Sequence, residues 1–274
     1  DATDQIPRRA VDAGLISRFG GLDPTDGGEM ERYSLSFDRH QALGTGDYRL
    51  NAYLIKSRLK LFSDFTYFLN DPVNGDQFAQ FDQRTVFGIN PSWTLMGKWG
   101  ERQLINKFGL DLRHDDIDVA LHNTLARQTL TTVRSDKVSQ TGIGLYFENT
   151  LQWTPSFRTV AGIREDFYHA RVDSDLAANS GSTSAHITSP KLNFIFGPFR
   201  QTEFFLNYGQ GFHSNDARGT TITLDPNTLA PADKVPTLVK STGGELGART
   251  EIISGLQSSL SLWRLELASE LLFA

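Results

Sequence analysis

An all-β, antiparallel transmembrane β-barrel is the fold the sequence predicts, and three observations predict it. Apolar residues recur with a period of two almost everywhere, which places successive side chains on opposite faces of a strand. Connections alternate between short and long, the asymmetry of a barrel with tight turns at one membrane face and loops at the other. The composition joins 19 Phe, 7 Tyr and 4 Trp to 24 Gly in a chain of negative mean hydropathy. Some soluble sandwiches and barrels share that composition, so a soluble all-β domain is the rival fold.

Taken in order, the first strand signal runs over 59–69, with Leu59, Leu61, Phe65, Tyr67 and Leu69 opposite Arg58, Lys60, Asp64 and Thr66. The next is cleaner: Phe108, Leu110 and Leu112 alternate with Lys107, Gly109, Asp111 and Arg113. Ile143, Leu145, Phe147, Leu151 and Trp153 then alternate with Gly142, Gly144, Tyr146, Glu148 and Gln152. Further on come Leu192, Phe194 and Phe196, then Phe204, Leu206 and Tyr208, and finally Leu260 and Leu262. Helical spacing would scatter the charges into the apolar stripe. Short links are expected at 56–58, 96–102, 154–156, 197–201 and 251–256, and long polar links at 70–83, 115–138, 173–187 and 215–240. These spacings imply strands of about ten to fourteen residues and about eleven or twelve of them, where a closed bacterial barrel needs an even number.

Other classes fall away on composition. The 274 residues are 22% charged and 39% hydrophobic, which excludes disorder, and a net charge of −5 without a long basic run argues against nucleic acid. Cysteine is absent, removing disulfides, thiolate metal sites and cysteine nucleophiles. No apolar run reaches the roughly 18–20 residues that a membrane helix needs. The chain begins at Asp1 with no initiator Met or apolar leader and ends at Glu270-Leu271-Leu272-Phe273-Ala274 inside a strand-like segment. The expectation is therefore a single barrel domain over 1–274, truncated at both ends.

In such a barrel the apolar series faces lipid and the polar series faces the lumen, which sets Lys107, Asp111, Arg113, Glu148, Gln152, Arg158, Arg164, Asp166, Glu203 and Asn207 inward. Trp93, Trp99, Trp153 and Trp263 fall near the short turns, as an interfacial aromatic girdle would.

Particular words then resemble one family. Ser63-Asp64-Phe65-Thr66-Tyr67-Phe68-Leu69-Asn70-Asp71-Pro72 with Asn74-Gly75-Asp76-Gln77-Phe78 resembles strand-and-loop segments of TonB-dependent outer-membrane receptors. So does the run from Asn207-Tyr208-Gly209 through Phe212-His213-Ser214-Asn215-Asp216-Ala217-Arg218-Gly219. Residues 240–250, with Glu245, Gly247 and Arg249 alternating, are similar to a late-barrel strand of that family, although Gly244 stands where many relatives carry an aromatic residue. The resemblance implies a 22-stranded barrel. It also implies an N-terminal plug and a TonB box, neither in this chain, through which the TonB-ExbB-ExbD system energises uptake. The partners it implies are outer-membrane lipid and a small-molecule or metal-chelate ligand.

Candidate sites follow, each beside a plainer role. His114, Asp115 and Asp116, with Asp118, form the densest ligand-like cluster, at a strand's exit into a long loop, and oxygen and imidazole donors there suit a ferric complex. The plainer role is a solvated rim. His213, Asn215, Asp216 and Arg218 mark a second loop root for ligand, while His213, Ser214 and Asp216 as a hydrolase triad would need a convergence that near neighbours seldom reach. Asp71, Asn74 and Asp76 around Gly75 would suit a structural calcium ion or, more simply, an Asx turn. No other cofactor is expected. Arg158, Arg164 and Arg249 would guide an anionic ligand or pair with Asp166, Glu148 and Glu245 in the lumen. The function expected is TonB-energised uptake of a scarce solute such as a ferric siderophore, with a passive porin and an outer-membrane hydrolase as rivals and no enzymatic activity on the leading reading.

Overall fold

The computed structural model describes residues 6–269. After helix α1 (Arg8–Asp12) come β1 (Gly27–Leu43), β2 (Gly46–Ser63), β3 (Phe78–Trp99), β4 (Arg102–Leu125) and β5 (Gln128–Thr154). They are followed by β6 (Phe157–Ser174), β7 (Gly181–Phe199), β8 (Thr202–Ser214), helix α2 (Ala217–Thr221), β9 (Leu238–Ile253) and β10 (Leu256–Leu267). Among the described residues these ten strands form one sheet in chain order, every neighbour antiparallel, with β1 and β10 as its edges. It is an open arc of β wall. The strand-like segment expected at 270–274 lies outside the described residues.

One end of the sheet carries only two-residue turns, at 44–45, 100–101, 155–156, 200–201 and 254–255. Gly44 and Gly100 meet the left-handed backbone needed there with φ of 56° and 61°. Arg200 and Gln201 adopt φ of 49° and 66°, the primed turn that matches strand twist. The other end carries connections 64–77, 126–127, 175–180 and 215–237. The expected asymmetry is present, with one exception: β4 and β5 meet in a two-residue turn at Ala126 and Arg127.

Several expected boundaries move. Among the described residues the strands number ten, where eleven or twelve are expected over the whole sequence, and they run from 12 to 27 residues. Residues 115–138, expected as a loop, are the far halves of β4 and β5; much of 173–187 belongs to β6 and β7; and 56–58 lies inside β2. The ladder continues past the apolar belt, where the outer face turns polar with His114, Asp116 and Asp118 while Ile117, Val119 and Val138 lie on the inner face, so polar content alone does not mark a loop. For the same reason Leu59 and Leu61, expected on lipid, lie opposite Asp82 and Gln80 and share their face, while 65–69 leaves the strand altogether.

Segment 215–237 folds back over one face of β5, β6 and β7, here termed inner. Val138, Ala170, Val172 and Ala217 are buried together there, with Ile117 and Tyr168 packed against them. Nearer the short turns, inner rings lie over glycines of the adjoining strand, Tyr53 over Gly88 and Tyr146 over Gly109. A Cβ on Gly109 would stand 2.6 Å from the Tyr146 hydroxyl, so the ring itself fills the missing side chain's place.

The outer face is apolar and open. Leu145 is 51% exposed, Phe147 46% and Phe204 47%, a contiguous surface no water-soluble domain tolerates lightly. On β4 this stretch runs from Leu104 to Leu112 and then gives way to His114 and Asp116. That is about 27 Å of strand at ~3.4 Å per residue, or about 20 Å of height at a tilt of ~40°, close to the ~25 Å apolar belt of outer-membrane barrels. Trp93, Trp99 and Trp153 face outward as expected. Trp263 does not: it pairs with Glu245 and takes the inner side.

Candidate ligand site at the looped end of the inner wall

The site is built by the longest connection. β8 ends at Ser214, and buried Asn215 closes the loop base by donating its side-chain amide to Pro236 O at 2.7 Å while its N–H meets Thr237 O at 3.1 Å. Asp216 caps α2, accepting the Arg218 amide at 2.9 Å, and α2 turns Ala217, Thr220 and Thr221 onto the wall. Asn179, fully buried in the 3₁₀ turn Ala177–Asn179, pins the loop's middle. Its Oδ1 accepts the amides of Thr223 at 2.9 Å and Leu224 at 3.0 Å, and its Nδ2 donates to Leu224 O at 2.9 Å. A Thr183 to Thr237 hydroxyl contact of 2.7 Å ties the returning end to β7. The loop is thereby a fixed roof over the wall.

Under it lies a recess of about 230 Å³ whose lining includes Asp82, Arg84, Gln140, Asp216 and Arg218 over Ile117 and Val138. Charges enter as Arg/Asp pairs two residues apart, because positions i and i+2 of a strand share a face. Arg84 donates to Asp82 at 2.9 Å, Arg113 pairs with the buried Asp115 at 2.7 Å, and Arg134 pairs with the fully buried Asp136. Arg218 grips Asp216 at 2.6 Å and lies 4.0 Å from Asp136. Desolvation works to raise the Asp216 carboxyl, but the hydrogen bond and charge of Arg218 outweigh it and hold it below the usual carboxylate value. The arrangement offers guanidinium and carboxylate groups over an apolar floor, chemistry suited to a polar chelate.

The structure splits the cluster His114, Asp115 and Asp116. Only Asp115 is on the inner face, buried against Arg113; His114 and Asp116 are on the outer face, where His114 Nδ1 lies 2.8 Å from Thr141 Oγ1 and Nε2 lies 3.4 Å from Asp116. The three stand in mid-strand rather than at a loop root, and alternation forbids their convergence. Asp216 and Arg218 reach the recess, Asn215 serves the loop base, and alternation from Glu203 and Asn207 sets His213 on the inner face opposite Val239. His213, Ser214 and Asp216 form no triad: Ser214 and Asp216 line the recess without His213, and the Asp216 carboxylate is engaged by Arg218.

In connection 64–77 the carboxylates of Asp71 and Asp76 meet N–H donors. Asp71 accepts the amides of Val73 at 3.0 Å and Asn74 at 2.9 Å and the Asn74 side chain at 2.9 Å, while Asp76 accepts the Asp71 amide at 2.7 Å. That is Asx-turn geometry, with Gly75 at φ 86°. No group of three or more acidic, His or Cys side chains placed to hold a metal occurs among the described residues.

Nearer the short turns, the inner wall satisfies most of its own charge instead of awaiting partners from elsewhere. Glu203 receives Arg158 at 2.9 Å and Arg249 at 2.7 Å; Arg164 joins Asp111 to Asp166; Lys191 meets Glu148; and Asn207 donates to Glu245 at 3.0 Å. Sequence reasoning missed Asp82, Arg84, Arg134, Asp136, Asn179 and Lys191. The repeated R-x-D and D-x-R words at 82–84, 113–115, 134–136, 164–166 and 216–218 were the legible signal for most of them.

The sequence matches the family model described as TonB dependent receptor-like, beta-barrel, over residues 4–273. No curated protein matches it. Among solved structures it is similar to the unliganded ferric citrate transporter FecA, with a TM-score of 0.76 and 14% identity over 97% of this chain and 38% of that one. It is also similar to the ferric yersiniabactin uptake receptor FyuA from Yersinia pestis (TM-score 0.61, 11% identity, 88% of this chain, 37% of that one). The siderophore receptor PiuA from Acinetobacter baumannii is comparable (0.62, 10%, 87% and 40%). These likenesses are of fold, and the chain spans 37% to 40% of the length of the three structures. With an inner wall of paired charge, an apolar outer face and a family match across nearly every residue, the chain belongs to the TonB-dependent receptor-like β-barrel family.

Proposed function

We propose that this chain is a length of barrel wall from an outer-membrane receptor that takes up a scarce, bulky solute of the ferric-siderophore class, energised by the TonB-ExbB-ExbD system through a segment outside this chain. The family consists of transport receptors rather than enzymes, and its barrels stand in the Gram-negative outer membrane. The observation that carries the reading is the pinned roof of 215–237, which holds Arg218 and Asp216 over an inner wall bearing Arg84, Asp82 and Gln140. A passive pore has no need of a fixed polar recess at its mouth.

The test is uptake of iron-labelled chelates by cells carrying the full-length receptor, with and without functional TonB, beside its conductance in planar bilayers. TonB-dependent uptake with little steady current supports the proposal. Steady ohmic current with TonB-independent entry overturns it in favour of a porin.

A further inference from the structure

We infer that Arg102, bracketed by Trp99 and Trp153 on the outer face, is a seat for the phosphate of an anionic phospholipid in the leaflet at the short-turned end. Trp99 and Arg102 are the opposed residues that close the β3/β4 turn. The guanidinium lies 5.5 Å from the Trp99 ring centroid and 5.2 Å from that of Trp153, and the two indoles meet edge to face at 6.0 Å. Two residues further along the same face stands Leu104, where the apolar belt begins. Arg102 thus sits at the border where indoles settle between acyl chains and headgroups.

Its charge distinguishes it from the inner-wall arginines. Arg158, Arg164 and Arg249 each have a carboxylate, whereas Arg102 has no ion-pair partner among the described residues. Ring faces stabilise a guanidinium through its π surface and leave its in-plane N–H fork free. That fork matches two phosphate oxygens, and it does so most strongly beside apolar surroundings that exclude water. The bracket is held in place, because Trp153 Nε1 donates to Thr159 Oγ1 at 2.9 Å. Beside it, Phe157 stacks on Phe196 with centroids 4.8 Å apart, an apolar floor for acyl chains leading up from the phosphate. The three side chains of the bracket carry one positive charge, and Lys98 and Glu101 beside them offset each other, so charge complementarity favours an anionic lipid such as phosphatidylglycerol over a zwitterionic one.

The inference rests on the reading of the chain as an outer-membrane barrel, and the experiment separates the two. Native mass spectrometry of the full-length receptor in mild detergent would follow binding of phosphatidylglycerol and of phosphatidylcholine to wild type, Arg102→Gln and Arg102→Lys, each confirmed as folded by heat-modifiable migration. Loss of one fork of charged hydrogen bonds should weaken the tightest phosphatidylglycerol site by about tenfold in Arg102→Gln, less in Arg102→Lys, and leave phosphatidylcholine unchanged. Equal phosphatidylglycerol affinity in wild type and Arg102→Gln overturns the inference, as does equal loss for both lipids or displacement by millimolar inorganic phosphate. A wild type that stays dispersed without detergent and binds neither lipid overturns the barrel reading itself.

Discussion

Removal of the Asn179 side chain tests whether the roof is fixed by the wall. Asn179→Ala deletes three hydrogen bonds to backbone, with the Thr223 amide, the Leu224 amide and the Leu224 carbonyl, at 2.9, 3.0 and 2.9 Å, while the Thr223 hydroxyl, which also reaches Asn179 Oδ1 at 3.3 Å, keeps its bond to Ala178 O. At a net ~1 kcal/mol each, local closure of the loop loses about 3 kcal/mol. Since ~1.4 kcal/mol is a factor of ten, the loop's opening equilibrium should rise about a hundredfold. The strands beneath do not depend on Asn179, because their ladders run between neighbours on either side. Hydrogen–deuterium exchange on the full-length receptor reads this directly: amides within 219–235 should lose about two decades of protection while amides within 143–151 keep theirs. Unchanged loop exchange would show that α2 packing alone holds the roof. A parallel rise in 143–151 would show global unfolding, and either result refutes local pinning.

Two further predictions come from the wall and the opposite loop. Gly88→Ala places a Cβ inside the Tyr53 ring and should cost about 1–3 kcal/mol, seen as a lower urea midpoint, with Tyr53→Ala restoring most of it in the double variant; an unshifted midpoint in Gly88→Ala would remove the ring-over-glycine account. In 64–77, the Asn74 amide foremost, with its side chain and the Val73 amide, holds the Asp71 carboxyl below its usual value, and the Thr66 hydroxyl foremost, with nearby amides, does the same for Asp76. A carboxylate whose folded value is lowered stabilises the loop above the unfolded value and ceases to as pH falls through the folded one. Amide protection at Asn70, Asp71, Val73 and Asn74, corrected for intrinsic exchange, should therefore be flat from pH 8 to 5 and fall only below about pH 4; a midpoint above that would contradict the hydrogen bonding.

What the sequence determined by itself is the two-faced strand and the ends it runs between. Lys107 to Arg113 and Gly142 to Trp153 showed their inner and outer faces because, at the depth of the belt, one side must be apolar and the other polar. The turns at 100–101, 155–156, 200–201 and 254–255 were readable from Gly, Pro and polar residues that interrupt that alternation. Beyond the belt the contrast between faces is reversed, with Ile117 and Val119 inward and His114, Asp116 and Asp118 outward, and the polar residues of 115–125 and 128–138 read as loop although β4 and β5 run on through them. Alternation already separates His114 and Asp116 from Asp115; tertiary structure alone decided that Asp115 is the one buried on the inner face. It alone brought Asn179 to Thr223 and Leu224, Arg218 to within 4.0 Å of Asp136, and Arg102 between Trp99 and Trp153. Period two is a property of consecutive residues, whereas register and loop docking join residues tens of positions apart, and their free energy comes from pairings that exist only once the wall has formed.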